Sequence, residues 1–295
     1  IQAGNIIRVG PTRSYTTLRE ASSAAGDGDV IEIDAGVYLN DVAVWRQNNL
    51  TLRGVGGRAH MYSTQEIPYT AGNDQANGMG IWVTRGRDIR VENIEFSGAR
   101  VPDQNGAGIR ANGVDLYVCN AYFHDNENGI LGGGGTIFIE YSEFDNNGLG
   151  EYGRTHNMYI DGSARFVLQH SYSHHAYIGH NVKTRANENY ILYNRIMDEA
   201  EGNSSYDVDI PNGGLSFLIG NLIHHGPNAD NTTLVAYGAE GLKSGRTHHL
   251  YLANNTLVND LGRGVFVSVR QGGSAKLVNN LFVGSGTVLK GTGET

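Results

Sequence analysis

The sequence predicts an all-β, right-handed parallel β-helix with a short N-terminal capping helix, on three observations. Glycine is frequent, at 42 of 295 residues, and proline rare, at 5, so the chain turns often but keeps strand-like pieces between turns. A pattern of aliphatic, any, Asn, any, any, apolar recurs, with its third position at Asn93, Asn120, Tyr141, His170, Asn194, Asn221, Asn254 and Asn279, at intervals of 27, 21, 29, 24, 27, 33 and 25 residues. Such an irregular period in the twenties, carried by short β-branched runs, suits stacked coils better than the alternating hairpins of a sandwich. Finally, a helix-like segment precedes the first strand.

That segment, Tyr15 to Ala25, has helical periodicity and ends at Gly26. An exposed apolar end would invite aggregation, so a segment of about 12–28 is expected to cap the solenoid. Asp29 to Asp34 then alternates like a strand, with Ile31 and Ile33 on one face, and two more strand-like pieces separated by a turn follow up to Gly57. One domain, 1–295, is expected. Asn93, Asn120, Asn194, Asn221, Asn254 and Asn279 are read as coil corners, because asparagine tolerates the left-handed backbone and its amide can bond to the asparagine of the next coil.

The net charge of −8 is dispersed, so nucleic acid is not expected as a partner. An acidic polymer would need a local cluster of cations, amides or metal. Cys119 is the single cysteine; it is read as core filler and excludes an internal disulfide. No apolar run suits a membrane span, and the first residues do not read as a signal peptide. Export to the periplasm or medium is expected, with the signal already removed.

The stretch LREASSAAGDGDVIEIDAGVYLNDVAVWRQNNLTLRGVGG, from Leu18 to Gly57, resembles the opening of pectate-lyase-like β-helix proteins, and the coil pattern extends the resemblance over nearly the whole chain. It implies the fold far more strongly than the reaction, since the superfamily holds lyases, hydrolases, epimerases, esterases and non-catalytic binding spikes.

Three strands align as His156–Asp161, His180–Arg185 and Tyr206–Pro211. Met158, Ile160, Val182, Thr184, Val208 and Ile210 share the inward parity. The other parity gives columns expected on the surface: Asn157, Asn181 and Asp207; Tyr159, Lys183 and Asp209; and Asp161 with Arg185. Strands about 4.8 Å apart would bring these groups together. β-Elimination from a uronic acid polymer requires neutralising the sugar carboxylate, removing the C5 proton and protonating O4. Tyr159, Lys183 and Arg185 are the candidate catalytic groups, with Tyr159 as base, acid or both. Asn157 and Asn181 are candidate substrate ligands with Arg185, and Asp161, Asp207 and Asp209 are candidate Ca²⁺ ligands. His156 and His180 are also candidate substrate-binding residues, although their inward parity at strand starts favours bonds to backbone at a corner. Tyr152 and Arg154, in the loop 148–155, are candidate sugar contacts, and this loop and 199–205 are expected to wall the cleft.

The stretch NVKTRANENYILYNRI, from Asn181 to Ile196, is similar to a segment of chondroitinase B and related β-helix alginate lyases, which implies that Lys183 is the base. That family places an arginine on the following coil as acid, where this sequence has Asp207 and Asp209. The pair Tyr159 and Asp161 also resembles that of β-helix mannuronan C5-epimerases. Polygalacturonase-type signatures are absent, although the aspartates keep a hydrolase open. A polysaccharide lyase acting on an acidic polymer is the leading expectation, with epimerase, hydrolase and non-catalytic binder as alternatives. Zinc is not expected, because adjacent histidines such as His174 and His175 rarely bind one ion.

Overall fold

The computed structural model describes residues 4–68 and 78–295. Among these, strands join into a sheet of 20 and a sheet of 10, and every pairing between named strands is parallel. Parallel neighbours need crossovers, and here each crossover is the rest of one coil. The 10-stranded sheet runs without a break from Ala43–Trp45 to Thr287–Lys290. The larger sheet holds two sets of strands, united where Val30–Leu39 and Thr51–Tyr62 each cross both. Among the described residues, no helix is long and apolar enough to cross a membrane.

The cap forms as the sequence predicts, over fewer residues. The helix Leu18–Ala24 starts at Thr17, whose side chain accepts the backbone N–H of Glu20 while Glu20 reaches back to Thr17. It buries Leu18, Ala21 and Ser22 and lies against the strands Ile6–Val9 and Ala43–Trp45.

Inward residues of successive coils stack like on like. Phe96, Phe123 and Phe144 are fully buried, with ring centroids 5.0 and 4.8 Å apart and nearly parallel planes. Cys119 departs from its expected place. Leu116 and Val118 point inward from the strand Val114–Cys119, which leaves Cys119 half-buried on the outer face.

The corner asparagines divide into two columns. Asn93, Asn120, Asn254 and Asn279 have φ between 51° and 59°, in register with Tyr141, His170, Tyr193 and Gly220, and they form the left-handed corner. Asn194 and Asn221 lie one residue further on. Their side chains point inward and build a ladder in which Asn194 Nδ2 donates to Asn221 Oδ1 (3.0 Å), Asn221 Nδ2 to Asn255 Oδ1 (3.0 Å) and Asn255 Nδ2 to Asn280 Oδ1 (2.9 Å). The pattern read from the sequence therefore slips by one residue at Asn194 and Asn221, because asparagine suits both places.

A second interior ladder lies at another corner. It passes from Asn126 through Asn147, Asn157 and Asn181 to Asp207, each amide donating to the next at 2.9–3.3 Å. It ends where the His225 imidazolium donates from Nδ1 to Asp207 Oδ2 (2.8 Å) and from Nε2 to the Asn231 carbonyl (2.8 Å). Burial alone would lower the His225 imidazole, but the Asp207 carboxylate pushes it up to about 9.

Candidate active site

The strands Met158–Ile160, Val182–Thr184 and Val208–Ile210 are short, and within them the expected alternation holds. Met158, Ile160, Val182, Thr184, Val208 and Ile210 are fully buried. Tyr159 pairs with Lys183 and Lys183 with Asp209, and the column continues through Ala236 and Ser268 to Lys290. In the other direction Tyr159 is followed by Leu131 and then Arg110.

One residue before each strand the alternation fails. Asn157, Asn181 and Asp207 have no exposed surface, and they belong to the interior ladder instead of the outer face. Their polar atoms bond within the coil, so Asn157 and Asn181 are not placed to bind substrate. The three aspartates expected to hold Ca²⁺ do not converge either. Asp207 is bonded to His225 inside, Asp209 stands on the outer wall beside Lys183, and Asp161 is exposed past the strand end.

Tyr159, Lys183 and Arg185 do come together. Arg185 Nε donates to the Tyr159 hydroxyl oxygen (2.6 Å), and the Lys183 ammonium lies 5.1 Å from the Tyr159 ring centroid. Lys183 is only 8 % exposed; its Nζ is 3.5 Å from Asp209 Oδ2 and donates to Glu240 Oε1 (3.0 Å). The second oxygen of Glu240 accepts from Arg185, whose remaining nitrogen donates to Asn212. One carboxylate thus bridges the ammonium and the guanidinium beside a phenol. Burial works to raise the Glu240 carboxyl, but its bonds to Arg185 and Lys183 hold it below its usual range. Asp209, 1 % exposed, is pushed by burial up to about 7 against the pull of Lys183. Its Oδ1 is buried without a partner among the described residues.

His156 and His180 form the wall beside this group. His156 Nδ1 accepts the backbone N–H of His180 (2.9 Å), and His180 Nδ1 that of Tyr206 (3.0 Å). The rings of His156, His180 and Tyr206 stack at 4.7 and 4.9 Å. Burial drives both imidazoles down, His180 to about 3, so both are neutral. With Nδ1 accepting, the hydrogen sits on Nε2, which in His180 is 3.4 Å from Asp209 Oδ2. Tyr152 and Arg154 stand on an exposed loop, with Arg154 paired to Glu151 (2.9 Å).

The segment that covers the site is 238–243. Gly238, at φ 81°, turns the chain out of the strand Thr233–Tyr237, and a Cβ there would come within 2.7 Å of Leu242. Backbone bonds from Glu240 N to Pro211 O and from Lys243 N to Asn212 O then fold the segment back over the preceding coils. Sequence reading missed Glu240, Asn212 and Tyr206. The signal was the interval of 33 residues between Asn221 and Asn254, whose extra length is this loop. Beyond it lies a groove of about 260 Å³ lined by Tyr206, Ala236, Ser268, Arg270 and Lys290 among others. Arg110 and Arg246 are partly buried, both under the influence of Asp161, and the Nε atom of each has no partner among the described residues. Arg110, Lys183 and Lys290 thus stand in one outward column of this sheet, with Arg185 and Arg270 beside it.

No protein-family model matches the sequence, and no curated protein matches it. Among solved structures, an alginate lyase from Paenibacillus sp. str. FPU-7 has a TM-score of 0.66 at 14 % identity, over 99 % of this chain and 99 % of that one. Pectin methylesterase PemA from Erwinia chrysanthemi has a TM-score of 0.54 at 12 % identity, over 100 % of this chain and 93 % of that one. Likeness at such identities speaks for architecture, not for reaction. Parallel sheets wound coil on coil, shared end to end with these two structures, give the chain a right-handed parallel β-helix fold.

Proposed function

We propose that the protein is a polysaccharide lyase that cleaves a uronic-acid-containing polymer by β-elimination, with Tyr159, Lys183 and Arg185 at the reaction centre. The observation that carries this reading is the Glu240 carboxylate held jointly by Lys183 and Arg185 next to the Tyr159 hydroxyl. A fork that grips one carboxylate will grip another of the same geometry. When a uronate displaces Glu240, its carboxylate is neutralised and its C5–H lies beside the phenol.

Acting as the phenolate, Tyr159 takes the C5 proton and becomes the phenol, the electron pair forms the C4–C5 double bond, the C4–O4 bond breaks, and the phenol gives that proton to O4 and returns to the phenolate. Arg185 Nε–H already points at the Tyr159 oxygen, so the negative charge of the phenolate, before it takes the C5 proton and after it protonates O4, meets a donor in place. Lys183 is assigned to the substrate carboxylate instead of the base role that the resemblance implies. An amine flanked by Asp209 and Glu240 would have to break two ion pairs to act as a base.

The alginate lyase of the same fold supports polysaccharide chemistry, and the cations along the sheet suit an acidic chain that runs across several coils. Such polymers lie outside cells, which suits an exported protein.

Incubation with alginate, pectate, glucuronan and glycosaminoglycans, followed by ultraviolet absorbance of the unsaturated uronate, tests the proposal. Growth of absorbance with one of them is expected. A changed ratio of uronate epimers without cleavage would make the protein an epimerase, and retention of polymer with no change would make it a binder.

A further inference from the structure

On the larger sheet, away from the site above, the strands Tyr122–His124, Glu143–Asp145 and Tyr172–His174 stack in register, which places His124, Asp145 and His174 in one column. Adjacent residues of a strand point to opposite faces, and on that rule His174 and His175 should diverge. His175, however, is at a coil corner with φ 51°. The left-handed turn brings its ring to the side of His174, and the two Nδ1 atoms lie 2.6 Å apart. Asp145 Oδ1 is 3.3 Å from each of them.

The surrounding bonds fix what these atoms offer. His174 Nε2 faces Glu143 Oε1 at 3.1 Å, so the hydrogen of the neutral ring sits there and the Nδ1 lone pair points at His175 and Asp145. Burial keeps the His174 imidazole low, and its ring is stacked on Tyr172 at 3.9 Å. Asp145 Oδ2 accepts from the Tyr122 hydroxyl (3.4 Å), which leaves Oδ1 for the histidines. A lone pair, a carboxylate oxygen and a second imidazole nitrogen thus converge on one point.

We propose that Asp145, His174 and His175 bind a divalent transition-metal ion through Asp145 Oδ1 and the two Nδ1 atoms. Two imidazoles and one carboxylate suit zinc-like ions. Tetrahedral bonds of about 2.0–2.1 Å set ligand atoms about 3.3 Å apart, so two of the three edges already fit and only the His174–His175 edge must widen. Glu143 is the carboxylate behind His174 that orients such ligands. Asp145 and His175 are 29 % and 27 % exposed, which leaves the fourth position to solvent. The ion would tie neighbouring coils together, independently of any reaction at Tyr159.

Another group, His60, Glu95 and His124, lies on the same face, but its nitrogens are already engaged. His124 contacts Asp125 and Glu95 at 2.7 and 3.0 Å, and His60 contacts Ser97 at 2.7 Å. It provides the control.

The test is calorimetric titration of the chelator-treated full chain with zinc chloride alone, with cobalt(II) absorption spectra as a second readout. One ion per chain, a tetrahedral cobalt spectrum and a zinc-dependent rise in melting temperature are expected. His175→Asn, which keeps a residue tolerant of the left-handed corner, should abolish binding while melting like the metal-free parent. Asp145→Asn serves if it does not fold. Glu143→Gln should weaken binding about 10–100-fold, and His60→Ala should leave it unchanged. No zinc binding, binding that survives in the His175 and Asp145 variants, or binding lost in His60→Ala would overturn the proposal.

Discussion

Glu240 stands where an acidic sugar's own carboxylate would have to go. It is half-exposed at the tip of a short segment, so the substrate competes with it for Lys183 and Arg185. Glu240→Ala is therefore expected to lower KM about tenfold, the equivalent of one charge-assisted hydrogen bond, with kcat maintained. A higher KM in steady-state kinetics would instead make Glu240 a substrate contact. Tyr159→Phe keeps the ring and removes the proton carrier, and should cut kcat about 100-fold or more with little change in KM. Lys183→Ala should raise KM as well as lower kcat, and unchanged turnover in both variants would remove the proposed centre. Tyr159, Lys183 and Arg185 were legible as a cluster because simple alternation governs the three residues of each strand and carries on one residue beyond Thr184 to Arg185. Asn157, Asn181 and Asp207 were misplaced because the same alternation was carried one residue too far, into a corner where the backbone turns the side chain inward. Glu240 was invisible to any argument from register, since it reaches Lys183 from a loop 57 residues further on.

At the scale of the element, each coil is locked to the next by side-chain ladders as well as by strand pairing. Asn221 shows how much rests on one amide. It donates to the Ile191 carbonyl and to Asn255, and accepts both the backbone and the side-chain N–H of Asn194. Asn221→Ala would leave several buried partners unpaired, at about 1–3 kcal/mol each. A loss of about 3 kcal/mol or more in urea unfolding is expected, whereas a loss under about 1 kcal/mol would mean that the ladder is redundant. The asparagine recurrence that marked the coils in the sequence was real, and its one-residue slip at Asn194 and Asn221 has a chemical origin. The left-handed corner and the inward ladder are adjacent positions, and both reward asparagine. Where Tyr193 and Gly220 take the corner, only the ladder residue remains to be counted. His174 and His175 also meet at such a corner, which composition alone does not mark.

For the molecule as a whole, the buried ion pair of His225 and Asp207 couples stability to pH. The folded imidazolium persists up to about 9 against an ordinary value of 6.5, and burial pushes its partner Asp207 up to about 7, so the pair is doubly charged only between about 7 and 9. Both groups hold their protons more tightly folded than unfolded, so stability falls as pH rises, the His225 share of it between 6.5 and 9. Melting temperature should decline across that window, and the decline should flatten in His225→Gln. An equal slope in parent and variant would assign the dependence elsewhere. The end-to-end coil, the capped start and the irregular coil lengths were all readable from turns and periodicity. The covering segment 238–243 and the engaged interior amides were not, since they depend on contacts between coils that no single repeat contains.

The strict neighbour-to-neighbour order of the sheets has a mechanical consequence. Thr256 pairs with Leu281 one turn later, and every such pairing ties a strand only to the turns directly above and below it. Stretched between its termini in an optical trap, the protein should pay out in steps, each releasing one turn. A turn of about 25 residues would lengthen the tether by roughly 80 Å. The filament is thus a spool that unwinds from its ends, and the middle turns, which carry the fork around Tyr159, would be the last to let go.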